Sequence, residues 1–247
     1  MIKKFLFKNL AYKFNKLSSL INLKPKELIL SSEKRCLCLC PHPDDESIGM
    51  GGVLSLFPSN FDVILLTDGR KGIKNLSQEE TIRIREEEFK AAMNVAGINN
   101  YSLLKAEDKR LVDNFELFKT IEIEKYDYIF LPNIIDQHPD HKAVSILLKR
   151  LLEEKNKAGV KIKSDLKICF YEVWSTLGMV NAFVDISEVI DKKKAMISTY
   201  KSQTAQKDYE YYALGLNQYR GMFKDKKYVE AFCVLEVEDF EKICGLY

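Results

Sequence analysis

Residues 41–46 read Pro-His-Pro-Asp-Asp-Glu, which places one imidazole and three carboxylates in five consecutive positions. A second cluster, Asp-Gln-His-Pro-Asp-His at 136–141, holds the chain's two other histidines, so all three fall in two short turns. Imidazole nitrogens and carboxylate oxygens are the donor set of a divalent metal such as zinc. A catalytic zinc site commonly takes three protein ligands and keeps a position for water. His42, one aspartate and one distal histidine supply that number. An ion held there would lower the pKa of a water towards about 7 and polarise a carbonyl oxygen, and a neighbouring carboxylate could take the proton. Adjacent Asp44 and Asp45 allow one to coordinate while the other acts as base. The plain alternative for this pair is a helix N-cap and first-turn acid, and for His138 and His141 it is capping or surface histidines.

Elements must bring these turns together. Cys36–Cys40 is an all-apolar run of the kind expected of a buried parallel strand, and the acidic turn begins where it ends. Gly49, Gly51 and Gly52 allow tight turning or close backbone approach before a helix over Val53–Phe57. They are not a nucleotide loop, since no Gly-x-Gly-x-x-Gly order or following lysine is present and carboxylates stand in front. Phe61–Thr67 reads as a strand leading into Asp68-Gly-Arg70. Ser77 with Glu80 is a capping box for a helix to about Ala96, stopped by Gly97, with Ile84, Phe89 and Ala92 inward and Arg83, Arg85 and Glu86–Glu88 towards solvent. Strands are expected at Tyr101–Leu104, Tyr126–Leu131, Lys167–Trp174, Ala182–Ile186 and Ala231–Val237. Helices are expected at Asp113–Glu124, Lys142–Glu154, 188–199 and 206–223. This alternation predicts an α/β fold with a mainly parallel sheet covered by helices on both faces. Ligand crevices in such sheets lie beyond the carboxyl ends of the strands, so the turns at His42, Asp68–Arg70 and His138–His141 are predicted to converge.

The 46% apolar and 30% charged composition and net charge of +2 fit a globular protein and do not point to nucleic acid. Charge is uneven: residues 1–35 hold nine Lys or Arg against Glu27 and Glu33, and the remainder is net acidic. Residues 1–35 thus read as a basic extension on a single domain over 36–247. Ile2, Leu6, Leu10, Phe14, Leu17 and Ile21 recur at helical spacing, without a signal-peptide or membrane-span pattern. An interfacial helix attracted to anionic lipid, or a helix docked on its own domain or a second subunit, both fit. Six cysteines form no C-x-x-C pair, and Cys36, Cys38 and Cys40 would share one strand face as small hydrophobes, which suits a reducing cytoplasm.

The two motifs together resemble the LmbE-like/PIG-L family of zinc-dependent N-deacetylases. Thr67-Asp-Gly-Arg70, Arg85-Glu-Glu87, Tyr200-Lys-Ser-Gln203 and Glu230-Ala-Phe232 add weaker similarities. The resemblance implies a Rossmann-like three-layer fold and removal of acetyl groups from N-acetylated amino sugars and related conjugates. It implies His42, Asp45 and His141 as zinc ligands, Asp44 as general base and His138 as stabiliser of the oxyanion, with Arg70 holding substrate or acetate. Pro41 departs from the small residue common before the histidine. Two other functions fit the same residues. One is a non-haem Fe(II) oxygenase with a two-histidine, one-carboxylate site. The other is a non-enzymatic membrane- or partner-binding protein with a structural metal.

Overall fold

Cys36–Cys40 forms strand β2, buried throughout, and its alternate residues serve two cores. Leu37 and Leu39 face one side of the sheet; Cys36, Cys38 and Cys40 face the other. All six cysteines are free and five are buried, so they pack as the small hydrophobes expected. The computed structural model describes residues 24–222 and 224–246. The amphipathic stretch 1–21 and Phe223 lie outside them.

Among the described residues the strands are β1 (Lys26–Glu27), β2, β3 (Phe61–Thr67), β4 (Asn100–Ala106), β5 (Tyr128–Pro132), β6 (Lys167–Tyr171), β7 (Ala182–Asp185) and β8 (Val229–Glu236). They form one sheet in the order β1-β7-β8-β6-β5-β2-β3-β4. β8 runs antiparallel to β6 and β7, and the other pairings are parallel. The helices are α1 (Asp45–Leu56), α2 (Gln78–Ala96), α3 (Phe115–Phe118), α4 (Pro139–Lys157), α5 (Ile190–Thr199), α6 (Lys201–Thr204), α7 (Tyr209–Met222) and α8 (Val237–Cys244). Met50, Phe89 and Met196 place α1, α2 and α5 on one face; Val144, Leu148 and Phe240 place α4 and α8 on the other. This is the mainly parallel three-layer α/β fold that the strand–helix alternation predicts. No helix among the described residues is long and apolar enough to cross a membrane.

The structure differs from the sequence reading in several places. α1 starts at Asp45, so Gly49, Gly51 and Gly52 lie within it and not in a turn. Their role is close approach: a Cβ on Gly52 would stand 2.4 Å from Ile186 Cγ2, and one on Gly49 would stand 2.5 Å from Tyr171 Cδ2. The helix expected over Asp113–Glu124 is only the one-turn α3 with 3-10 turns on either side. β-branched Thr120, Ile121 and Ile123 favour the break, and the apolar residues reach the core by turns. The segment expected to be helical over 206–223 is helical at 209–222, after the separate α6. Arg85 and Glu88 are buried rather than solvent-facing. β1 and the buried Leu30 belong to the sheet and its core from within the basic stretch 1–35. The capping box at Ser77 and the left-handed Gly97 that ends α2 are formed as read.

Candidate active site

β2 has β3 on one side and β5 on the other, so the chain order reverses between β2 and β5. That reversal opens a crevice at the carboxyl ends of the strands. His42 follows β2, Asp68 and Arg70 follow β3, Asp108 follows β4, and His138 follows β5. Thr67 ties the first two turns by donating to the Pro41 carbonyl from its N–H (3.0 Å) and hydroxyl (2.8 Å).

The three imidazoles meet here. Ring centroids are 4.4 Å apart for His42–His138, 5.4 Å for His42–His141 and 5.2 Å for His138–His141. One nitrogen from each lies within 4.8 Å of the others. Asp45 Oδ2 accepts the His42 backbone N–H at 2.8 Å and lies 3.2 Å from His42 Nδ1 and 3.1 Å from His141 Nε2. Asp45 therefore touches both histidines of the expected ligand set. Asp45 Oδ1 and both ring nitrogens of His141 are buried without a hydrogen-bond partner among the described residues. Carboxylates stand 3.1 and 3.3 Å from the two His141 nitrogens without hydrogen-bond geometry, and imidazoles and carboxylates gathered in this way fit a cation. The surroundings agree: Asp136 Oδ2 is 3.3 Å from His141 Nδ1, and Asp140 Oδ2 is 3.1 Å from His42 Nε2 with Asp108 Oδ1 at 3.5 Å. Such carboxylates behind histidine ligands orient the rings and fix their tautomers.

Electrostatics follow from burial and neighbours. Burial disfavours an imidazolium at His42, yet Asp108, Asp140 and Asp45 hold its pKa well above the ordinary value. Burial likewise opposes charge on His141, while Asp45 and Asp136 raise it to about 9. Burial would raise Asp45, but His141 and His42 hold it well below the usual carboxylate range. The pocket thus has a field that favours positive charge. Asp44 differs: burial raises it, and Arg85, whose Nη2 is 3.1 Å from Asp44 Oδ2, partly pulls it back. Arg85 also donates to the Pro43 carbonyl. Asp44 needs such support because its φ of 121° is a strained conformation for a non-glycine residue. It stands at the N-cap of α1 yet makes no capping hydrogen bond, so its carboxylate is not used as a cap.

His138 caps α4: its Nδ1 accepts the Asp140 N–H at 3.2 Å. Accepting at Nδ1 leaves the proton of a neutral ring on Nε2, and burial with the nearby His42 and His141 lowers its pKa, favouring that neutral form. Glu46 accepts from the Ser47 and Tyr200 hydroxyls, each at 2.6 Å, and burial raises it to about 7. Glu230 anchors α1, accepting the Gly52 and Val53 N–H groups at 2.8 Å and the Lys193 ammonium at 2.6 Å.

A cleft of about 150 Å³ opens on the cluster, lined by His42, Asp44, Asp45, His138, Trp174 and Tyr209 among others. Arg70 is not among its lining residues; its guanidinium is engaged by Asp68 at 2.8 and 2.5 Å. The cations on the cleft are Lys71, Lys109 and Arg85. Another cavity, about 700 Å³, lies around Asp62, Tyr101 and Tyr126 at the amino ends of β3 and β4, away from the histidines. Asp108, Asp136, Asp140 and Arg85 are parts of the site that spacing alone did not assign.

The fold and this cluster define an α/β protein whose topological switch point gathers histidines and aspartates that could hold a metal ion. Residues 37–152 match the family model PIG-L, GlcNAc-PI de-N-acetylase. The chain is 29% identical to the diacetylchitobiose deacetylase of Thermococcus kodakarensis over 248 aligned residues, 91% of either chain. Among solved structures it resembles the N,N'-diacetylchitobiose deacetylase of Pyrococcus horikoshii, with a TM-score of 0.70 at 24% identity over 82% of this chain and 84% of that one. It also resembles GalB, the 4-carboxy-2-hydroxymuconate hydratase of Pseudomonas putida, with a TM-score of 0.64 at 19% identity over 82% and 96%. One fold therefore carries more than one reaction, and the chemistry must be argued from the site.

Proposed function

We propose that the protein is a zinc-dependent N-deacetylase that hydrolyses the acetamide of an amino-sugar-containing substrate to acetate and a free amine. The observation carrying this reading is the convergence of His42 and His141 on the buried Asp45 carboxylate, whose Oδ2 lies 3.2 Å from His42 Nδ1 and 3.1 Å from His141 Nε2. These three residues would hold the ion, which when bound supplies an acidified water and polarises the acetamide carbonyl. Asp44 stands beside the ligand set without belonging to it. Its carboxylate, raised by burial and kept ionisable by Arg85, takes a proton from the attacking water and can return it to the leaving nitrogen. Neutral His138 offers its Nε2–H to the oxyanion that develops on the carbonyl. Asp140 and Asp108 hold His42 from behind, and Asp136 does the same for His141.

The amino-sugar substrate class draws support from the family match and from the diacetylchitobiose deacetylase relative. An oxygenase reading has no comparable support, because the sheet is α/β rather than the all-β double sheet usual for that chemistry. In this reading Arg70 supports the turn after β3 through Asp68, and substrate contact falls to the cations on the cleft. A cytoplasmic location and contact of residues 1–21 with anionic lipid complete the proposal, drawn from the cysteine usage and the basic N-terminal charge.

Two variants test the roles. Asp44→Ala should lower release of free amine by about 10²-fold or more while metal content stays near that of the parent protein. His141→Ala should lose the metal itself. Full hydrolysis by Asp44→Ala would remove Asp44 from the role of base.

A further inference from the structure

β6 ends at Tyr171, and the chain then bends through residues 172–177, bringing Trp174 to the wall of the catalytic cleft. Among the described residues, no backbone–backbone hydrogen bond holds 173–177. A segment without such bonds keeps one shape only if side chains supply the partners. They do so at four points. The Trp174 N–H donates to Asp136 Oδ2 at 3.0 Å, and Asn133 Nδ2 donates to Ser175 Oγ and to the Thr176 carbonyl, each at 3.2 Å. The Leu177 N–H donates to Glu172 Oε1 at 2.6 Å, which joins the last residue of the bend to the first.

Arg220, in the last turn of α7, closes this bend from outside. Its Nε donates to Glu172 Oε2 at 3.1 Å, and its Nη2 donates to Glu172 Oε1 and, at 3.2 Å, to the Leu177 carbonyl. One guanidinium thus grips both ends of the segment that carries Trp174. Two nitrogens meeting two carboxylate oxygens fix direction as well as distance. Glu172 is only 6% exposed, so its charge depends on this partner. Arg220 does not line the cleft, and so it touches none of the groups assigned to the reaction.

We propose that Arg220 is a positioning residue: by closing the 172–177 bend through Glu172 and Leu177, it sets Trp174 as a wall of the cleft. That the cleft binds an acetamide rests on the deacetylase reading, but the clamp can be measured apart from turnover. Trp174 is the chain's one tryptophan, so its fluorescence reports the bend directly.

Arg220→Ala and Arg220→Lys are compared with the parent in the full chain. Lysine keeps a positive charge beside Glu172 and loses the fork, so it carries the test if the alanine variant does not fold. In each folded variant the Trp174 emission should move to longer wavelength and acrylamide should quench it more strongly. With N,N'-diacetylchitobiose as the probe, KM for amine release should rise by about tenfold while kcat stays within about threefold. In a Trp174→Ala background, substitution of Arg220 should raise KM by no more than about twofold, because the group it positions is gone. An unmoved Trp174 spectrum in both variants, or effects of Trp174→Ala and Arg220 substitution that simply add, would overturn the clamp. A moved spectrum together with no amine release by the parent would sink the deacetylase reading and leave the clamp standing. Amine release with spectrum and KM both unmoved would do the reverse.

Discussion

Asp44 and Asp45 adjoin in sequence and occupy opposite environments. Asp45 faces two imidazoles that hold it ionised, whereas Asp44 is raised by burial and faces a guanidinium. Two carboxylates whose environments separate their proton affinities are suited to separate tasks. Arg85 therefore matters more than its place in a charged run suggests. Arg85→Ala should cost about 3 kcal/mol of stability by leaving buried Asp44 unpaired, read as a lower urea midpoint, and should lower turnover as well. Arg85→Lys should restore part of the loss, because the bonds to Pro43 O and Asp44 Oδ2 both come from the one Nη2 nitrogen, for which an ammonium can stand in. A midpoint unchanged in Arg85→Ala would show that the pair contributes nothing. His42, Asp44, Asp45, His138 and His141 stand out in the sequence because scarce residue types crowd into two turns. Arg85 and Asp108 do not, since one lies among Arg83 and Glu86–Glu88 and the other among Glu107 and Lys109. Nothing in one-dimensional spacing shows that those particular charges turn inward.

At the scale of elements, α1 must lie close enough to β6 and to the β7 exit for Asp45 to reach His141. Gly52 permits this, with Ile186 where a Cβ would be. Gly52→Ala should destabilise the protein by about 1–3 kcal/mol through overpacking, despite the roughly 1 kcal/mol that alanine gains in helix propensity. Ile186→Ala in the same chain should recover part of the loss, and strict additivity of the two changes would contradict the contact. Ser77→Ala provides the contrast: it removes the capping box of α2 at an exposed site and should cost about 1 kcal/mol with turnover unaffected. Thermal or urea denaturation reads both. β2, β3, α2 and α4 are legible because apolar runs and capping signals mark them locally. The glycines of α1 are not, because a helix that contains three glycines in four residues is held by its neighbours. Glu230 and Lys193, which grip it, lie 177 and 145 residues away from the backbone groups they bind.

Across the whole molecule, the sheet joins the site to the chain's remote parts, and the interior charges set how it responds to acid. Asp127 accepts the Arg35 N–H at 2.8 Å and meets Lys34 and Lys163 at 3.2 and 3.1 Å, stitching the approach to β2 onto β5. Burial raises its pKa, but Arg35, Lys163 and Lys34 outweigh that and leave it lowered. Asp127 therefore stabilises the fold above its unfolded pKa of about 4, and that contribution is lost as pH falls through its lower folded value. Asp127→Asn should lower stability at neutral pH and flatten the acid limb of a stability–pH curve; an unaltered limb would rule out this linkage. The mainly parallel architecture and the meeting of distant turns follow from strand–helix alternation and the crevice rule. The antiparallel β8 and the second cavity arise from packing between segments that no local pattern connects. In the proposed reaction, acetamide hydrolysis depends on an ion held by His42, Asp45 and His141. Free-amine release from N,N'-diacetylchitobiose, measured before and after chelation and again after stoichiometric zinc is restored, tests it most directly. Loss on chelation and recovery with zinc are expected in the parent protein, and no recovery in His141→Ala. Undiminished amine release from metal-free protein would contradict it.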